Sequence, residues 1–594
     1  MEQPFLLETP LTLEWSKILF TIPKKYKKIL QNVSGKAPHS KITAIMGPSG
    51  SGKTSLLNVL ACRVVQDKNI SLTGTIYINH QLRNEKTFSK SIAYVEQHDL
   101  LFPFLTVKET ITLSAKFNGN LVSHLVEDTM RQMSLEKSRD TLIGNETVRG
   151  LSGGEKKRVA IAIQLISNPK ILLLDEPTSG LDSFQAMAVF QNLKVLANQE
   201  KTIIASIHQP SSALMEMVDH LVLLSEGKTI FNGPYIDVLN YFQTMDFHCP
   251  VNYNPMDFII DLVSLNYNNE EALKISNKRL ESLALNWRTM ESCNNNRNDT
   301  TSIYKLETSN NSKQFSLGPL LWRSWIQNIR NTFALKIKFF TSIFFALVLG
   351  GIYSKSSNDA SGIQDTIGIL FFIAINQAFS NVIGIINLFV NEKILAQKEI
   401  KSGFYGLPVY YLSKLIVEIP FTMISPLVFG IIIYWIVGLN SLPQRFFMFL
   451  FIIILESFTA MMMGIFVSAL SSSVEIATAF APPLNIVFFL FAGVFINLKN
   501  LPVWLQFFPK ISFIHWCFEA LVINEFKGKK FTCNHSTPFC IKTGEQVLQM
   551  YSLNNHINIS LLSLFGIGLV FLILGYFGLY YTSPRYTSPR CQKI

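Results

Sequence analysis

The chain divides by hydrophobic pattern before any motif is considered. Over residues 1–265, short apolar runs such as "KITAIM", "ILLLD", "TIIASI" and "LVLLS" alternate with stretches of helical periodicity. Short apolar runs bounded by polar turns suit strands buried on both faces, and their alternation with helices predicts an α/β domain with a largely parallel sheet. The texture then changes. "SCNNNRNDTTSIYKLETSNNSK" is polar and rich in Asn, Ser and Thr, which predicts a solvated linker over 266–315. In "SLGPLLWRSWIQNIRNTF" the Trp, Leu and Ile residues recur at helical spacing among Arg and Asn, predicting an amphipathic helix over 316–334 at a membrane surface.

Residues 335–594 are dominated by apolar stretches long enough to cross a bilayer. Spans are predicted near 335–353, 366–390, 412–437, 446–470, 475–497 and 560–581, an all-α membrane domain of six helices. An even number of crossings returns the C-terminus to the starting side. Lys393, Lys398, Lys401 and Lys414 mark the 391–414 loop as cytoplasmic. The last external segment is then 498–559. Its "LPVWLQFFPKISFIHWCFEALVINEF" is too apolar for a plain loop and predicts short re-entrant helices packed on protein.

Composition agrees with this division: 48% of residues are hydrophobic, 16% are charged, and mean hydropathy is +0.26. The net charge of +11 comes from lysines scattered over soluble faces and membrane flanks, so nucleic acid is not an expected partner. Seven cysteines are too few and too dispersed for a disulfide scaffold. "MEQPFLLETP" lacks a basic segment followed by an apolar core, so no cleaved signal peptide is expected and the first domain starts in the cytosol.

Two stretches are built to meet phosphate. "KITAIM", "GPSGSGKT" and "SLLNVLA" read as strand, glycine-rich loop and helix. In the block Gly47, Pro48, Ser49, Gly50, Ser51, Gly52, Lys53, Thr54 and Ser55, backbone N–H groups of Gly50, Ser51 and Gly52 can surround phosphates. Lys53 can reach the β- and γ-phosphates, and the Thr54 hydroxyl can ligate Mg2+. About a hundred residues later, "RGLSGGEKKRV" opens with Ser152 and Glu155 at capping-box spacing, a second helix start suited to an anion. "ILLLDEP" makes a buried strand ending in Asp175, placed to hold Mg2+ through water, and Glu176, placed to polarise an attacking water. His208 follows another apolar strand in "TIIASIHQP".

In this order the motifs resemble the ATP-binding cassette family. The resemblance implies that Gln97, in "AYVEQHDLLFPF", is the glutamine that touches Mg2+ and senses the membrane domain. It implies that Leu151, Ser152, Gly153, Gly154 and Glu155 form the signature that closes over ATP held by a partner chain. Ser179, Gly180, Leu181 and Asp182 would be the D-loop, and His208 the switch histidine that contacts the γ-phosphate. The adenine-stacking aromatic would be Tyr26, with Trp15 as its rival.

A nucleotide domain followed by one six-span domain resembles the G subfamily, or White family, of half-transporters, over nearly the whole chain. "YFQTMDFHCPVNYNPMDFIIDLVS", "LLWRSWIQNIRN" and "NEKILAQKEIKSGFYGLPVYYLSKLIVEIPF" resemble that subfamily's own stretches. The resemblance also implies a disulfide between Cys533 and Cys540 on the external segment, where Asn534 heads a glycosylation sequon; further sequons stand at Asn145 and Asn298. Spans two and five would line a cavity at a two-fold axis. Asn376 and Phe379 would face it from one span, Ile486 and Phe489 from the other, with Val494 and Phe495 as an apolar plug above. Pro482 and Pro483 depart from a plain helix in span five. Glu418 and Glu456 are carboxylates within predicted spans, and Glu418 is expected to serve coupling or structure.

The implied function is an ATP-driven half-transporter using ATP and Mg2+. It would pair with a second half-transporter, identical or different, to move a lipophilic or amphipathic substrate such as a lipid, sterol or xenobiotic out across a membrane, the plasma membrane being expected and an internal membrane the alternative. The alternative is the passive or regulatory half of a heterodimer, such as one carrying pigment precursors. A soluble cassette ATPase is excluded by the six spans.

Overall fold

The computed structural model describes residues 10–22, 27–65, 70–83, 91–119, 123–145, 147–294, 317–354, 360–495, 501–531, 543–551, 553, 556–583 and 586–587. The chain forms two compact units, Met1–Gln314 with Pro584–Ile594, and Phe315–Ser583.

The strands of the first unit are β1 (Leu13–Ile22), β2 (Lys27–Ala37), β3 (Ile42–Met46), β4 (Val64–Val65), β5 (Ser71–Ile78), β6 (Gln81–Leu82), β7 (Ile92–Val95), β8 (Ile171–Leu174), β9 (Thr202–Ser206), β10 (His220–Ser225) and β11 (Lys228–Pro234). Six of them form one sheet in the order β11-β10-β3-β9-β8-β7, parallel except for the edge strand β11. Every residue of β3, β8 and β9 is buried because successive side chains enter different cores. Ile42, Ala44, Met46, Leu172, Leu174, Ile203 and Ala205 enter one hydrophobic cluster, whereas Ile45, Ile171, Leu173 and Ile204 enter another. That second cluster lies against a smaller antiparallel sheet, β2-β1-β5-β6. Trp15 in β1 belongs to it, 2% exposed and close enough to Gly35 that a Cβ there would sit 2.6 Å from the indole. It is a core residue, which removes it as an adenine-stacking surface. Its rival Tyr26 lies outside the described residues.

The helices used below are α1 (Lys53–Leu60), α2 (Gly153–Leu165), α3 (Ser183–Asn198) and α4 (Glu270–Asn294). The last is a correction: it occupies half of the stretch expected to be solvated linker, 266–315. Leu280, Leu283 and Ala284 are buried in the main core, and the Trp287 ring lies 5.5 Å from Phe231 and 5.7 Å from Tyr241. The polar composition averaged over 266–315 hid one apolar stripe in this helix, which the sheet edge at β11 supplies with a partner.

The second unit begins with α5 (Leu317–Arg330), followed by α6 (Thr332–Ile352), α7 (Ala360–Lys401), α8 (Leu407–Val437), α9 (Pro443–Leu470), α10 (Val474–Leu490), α11 (Phe513–Phe526) and α12 (Ile557–Thr582). Among the described residues five helices, α6, α7, α8, α9 and α12, are long and apolar enough to cross a membrane, and α10 is a shorter apolar helix of 17 residues. Pro482 and Pro483 lie inside α10 without ending it. The central helix α9 packs so closely on α7 that a Cβ at Gly464 would sit 2.2 Å from Ile385 Cγ2. In the segment expected to be re-entrant, α11 is buried along its length except at the half-buried Trp516. At 42 residues, α7 is about 63 Å long, so one end projects past a hydrocarbon layer of about 30 Å.

The face of α5 turned inward is the polar one. Leu320, Arg323, Ser324, Gln327 and Asn328 are buried, whereas Trp322, Trp325 and Ile329 are exposed. Arg323 pairs with Glu399 at 2.6 Å and donates to the Tyr405 hydroxyl at 3.0 Å. Asn328 donates to Glu418 at 3.0 Å. Lys414 lies 2.6 Å from both Glu392 and Glu418, so Glu418 is a structural carboxylate tied to Asn328 of α5 and Lys414 of α8, and Lys414 brings in α7 through Glu392. Glu456 is fully buried in α9, where it accepts from the Cys517 thiol at 3.0 Å.

Candidate nucleotide site

Parallel strands deliver the predicted residues to one edge of the sheet. β3 runs into the glycine-rich loop, β7 into Gln97, β8 into Asp175 and Glu176, and β9 into His208. These are carboxyl ends of adjacent strands, where open α/β sheets bind ligands.

The loop is shaped by its glycines. Gly47 has φ +148° and a Cβ would lie 2.0 Å from the Leu224 carbonyl oxygen, so only glycine fits. Gly50, at φ +82°, has nothing within 4 Å of its Cβ position; the backbone there faces open space that a phosphate can enter. Gly52 caps α1, whose first residues are Lys53 and Thr54. Lys53 is buried and donates to the Gly47 and Pro48 carbonyls at 2.8 and 2.9 Å. Burial holds its ammonium below the usual lysine range, partly opposed by Glu176 and Asp175. A phosphate at this loop would supply the missing counter-charge.

Asp175 is 3% exposed and collects donors from three elements: Thr54 at 3.1 Å, Ser206 at 2.7 Å and Tyr94 at 3.4 Å. Burial and the neighbouring Asp175 hold the Tyr94 phenol protonated well above its ordinary range. Ser206 also accepts from the Glu176 backbone N–H at 2.8 Å, which fixes Glu176 at φ +44°. A non-glycine residue in the left-handed region is strained, and the Ser206 bond holds it there. The Glu176 carboxylate accepts from Gln97 Nε2 at 2.7 Å. His208 Nε2 shares a hydrogen bond with Ser49 Oγ at 3.0 Å. The predicted Thr54, Gln97, Asp175, Glu176 and His208 therefore converge on the loop. A carboxylate with three hydroxyl partners, near a glutamine side chain, is an oxygen-rich set suited to a hard divalent cation.

Ser206 and Tyr94 were not singled out from sequence. Ser206 carried a faint signal, as the polar residue ending the apolar run "TIIAS".

The second helix start is a true capping box. Ser152 Oγ accepts from the Glu155 N–H at 3.3 Å, and Glu155 Oε2 accepts from the Ser152 N–H at 3.0 Å. Ser138 donates to the other carboxylate oxygen. Ser152 and Gly153 are exposed, as are Ser179, Gly180 and Asp182. Asp182 caps α3 by accepting from the Gln185 N–H at 2.8 Å, and Gln185 accepts from the Gly154 N–H at 3.1 Å, so signature and D-loop are joined. Among the described residues no hydrogen bond or ion pair links Ser152–Glu155 to the phosphate loop of the same chain.

Known proteins bear on the whole arrangement. Residues 30–179 match the family described as ABC transporter, and residues 208–316 and 316–526 match families described as ABC-2 type transporter. The chain is 36% identical to ABC transporter G family member 7 of Arabidopsis thaliana, over 91% of this chain and 77% of that one. It is 33% identical to Protein white of Drosophila melanogaster, over 96% and 85%. It is 32% identical to the broad substrate specificity ATP-binding cassette transporter ABCG2 of Sus scrofa, over 90% and 86%. The chain belongs to the ABC transporter G family. This ABCG protein is a membrane half-transporter whose ATP hydrolysis is coupled to transport.

In its membrane unit Asn376, Phe379 and Phe489 are half-buried and Ile486 is exposed. The Phe489 ring stacks on Phe371 at 5.3 Å, and exposed Phe495 lies 5.3 Å from Phe489 and 5.5 Å from Phe371. Phe371 thus joins the aromatic group expected around span five. Cys533, Cys540 and Asn534 lie outside the described residues.

Proposed function

We propose that this ABCG half-transporter works as a dimer that exports a lipophilic or amphipathic substrate, a lipid, sterol or xenobiotic, with the plasma membrane as its site. The carrying observation is the exposed signature. Ser152 and Gly153 are exposed at a helix start, yet no hydrogen bond or ion pair joins them to the phosphate loop of their own chain. A second chain brings a phosphate loop to them, giving two composite sites. Lys53 and the N–H groups of Gly50, Ser51 and Gly52 bind the β- and γ-phosphates in one chain, and Ser152–Glu155 of the other close over the γ-phosphate. Thr54, Gln97 and Asp175 would hold Mg2+, which when bound offsets phosphate charge. Glu176 accepts a proton from the attacking water, and His208 orients the γ-phosphate.

The cavity reading is supported by span two. Along α7, Phe372, Ile383 and Asn387 are exposed and Asn376, Phe379 and Ser380 half-buried, one stripe at helical spacing. Amide side chains facing hydrocarbon are costly, so this stripe belongs against a partner or a wet cavity. Intact Lys53, Asp175, Glu176 and His208 favour an active half over a passive one.

Purified protein alone, reconstituted in liposomes, is expected to hydrolyse ATP and to be stimulated by part of a panel of sterols, phospholipids and amphipathic drugs. Absence of turnover without a second gene product would replace the homodimer by a heterodimer. Stimulation confined to hydrophilic solutes would overturn the substrate class.

A further inference from the structure

Lys157 lies in α2, two residues past Glu155, and its side chain is only 2% exposed. Its ammonium donates to the Gln97 carbonyl at 2.9 Å and the Glu96 carbonyl at 3.3 Å, and pairs with Asp99 at 2.8 Å. The ammonium thus has two hydrogen-bond acceptors and one counter-charge, which is the company a buried ammonium requires. Removing the side chain would take an ion pair from Asp99 and a donor from two carbonyls together.

What lies at each end of this link sets it apart from ordinary core pairing. At one end is the signature helix, whose Gly154 N–H is held by Gln185 behind the D-loop. At the other is the loop bearing Gln97, whose side chain holds Glu176. The same loop is anchored on its far side by Arg63, which pairs with Glu96 at 3.2 Å and lies 4.9 Å from the Tyr94 ring centroid. The Gln97 loop is thus tethered to the end of the phosphate-loop helix and to the signature helix at once.

We propose that Lys157 is a positioning residue for ATP hydrolysis. It makes the signature helix and the Gln97 loop move as one body, so that a nucleoside triphosphate closing on Ser152–Glu155 from the partner also resets Gln97 against Glu176. This rests on the composite-site reading above.

The test uses full-length protein in nanodiscs. Lys157→Met is expected to keep photolabelling by 8-azido-ATP on ice within about twofold of wild type, while phosphate release falls about tenfold or more. Lys157→Arg, which retains charge and reach, is expected to restore at least about half of the rate. Should Lys157→Met fail to accumulate, Asp99→Asn is expected to give the same split between binding and turnover. Wild-type turnover in Lys157→Met, or in Asp99→Asn where that variant takes its place, overturns the proposal. So does parallel loss of photolabelling and melting temperature, which would assign Lys157 to folding alone, and so does intact photolabelling with no recovery in Lys157→Arg. The composite-site reading fails separately, by unchanged turnover in Gly153→Asp.

Discussion

Gln97 and Glu176 are joined side chain to side chain, Nε2 donating to Oε2 at 2.7 Å. Glu176 is held in a left-handed backbone conformation by its N–H bond to Ser206. The carboxylate is thereby aimed at the phosphate loop and already hydrogen-bonded by the residue proposed to sense the membrane domain. Glu176→Gln keeps shape and removes basicity. Turnover should fall by about 10²–10⁴-fold, the usual range for a general base, with nucleotide photolabelling retained. Unchanged phosphate release would remove the role given to Glu176.

Gly47 and Gly50 should respond differently to one methyl group. At Gly47 the Cβ meets the Leu224 carbonyl at 2.0 Å, so Gly47→Ala must displace β10 and should lower melting temperature as well as binding. At Gly50 the Cβ meets nothing, and backbone strain alone costs about 1 kcal/mol. Gly50→Ala should therefore fold normally and lose ATP affinity. Equal melting temperatures for the two variants would contradict this geometry.

The charge on Glu155 should matter in a pH-dependent way. Burial pushes its carboxyl up, but hydrogen bonds from Ser138 and Ser152, with Arg158 nearby, hold it below the ordinary range. A depressed folded-state value contributes stability that is present above the unfolded pKa and lost as pH falls through the folded one. Glu155→Gln retains a capping box without charge. Its melting temperature should lie below wild type at pH 7 and converge with it as the buffer is taken below the carboxylate range. A gap independent of pH would show that the charge plays no part.

In the membrane unit, Gly464→Ala drives a methyl into Ile385 and towards the Val382 carbonyl. Overpacking of this kind costs about 1–3 kcal/mol. The expected outcome is a lower detergent melting temperature, partly relieved by Ile385→Ala, which removes the clashing Cγ2, in the double variant. Additive destabilisation would deny the contact.

Lys414→Met should be more damaging. It strands Glu392 and Glu418, and breaking a buried pair by removing one partner costs about 3–5 kcal/mol. Loss of folded protein is expected, with partial recovery when Glu418→Gln is added. Wild-type yield from Lys414→Met alone would mean that water reaches these carboxylates.

The phosphate chemistry was readable from sequence because each part is contiguous: strand, loop and helix start occupy neighbouring residues, and capping and glycine requirements are local. The capping box at Ser152 and Glu155 is of this kind, as are the apolar helices of the membrane unit. Ser206 and Tyr94 were not readable as partners of Asp175, because they come from separate strands that only sheet register aligns. The linker reading failed at α4 because composition averages over a helix, whereas burial depends on one stripe.

What the sequence determined alone was the chemistry available and the solvent each segment prefers, since glycine freedom, carboxylate charge and apolar length are properties of short runs. The tertiary structure decided partnership. Lys157 reaches the Gln97 loop across 60 positions of chain, and α5 turns Arg323 and Asn328 inward because Glu399 and Glu418 wait there. A buried charge is tolerated only where folding supplies its counterpart, and no local pattern announces where that counterpart will come from.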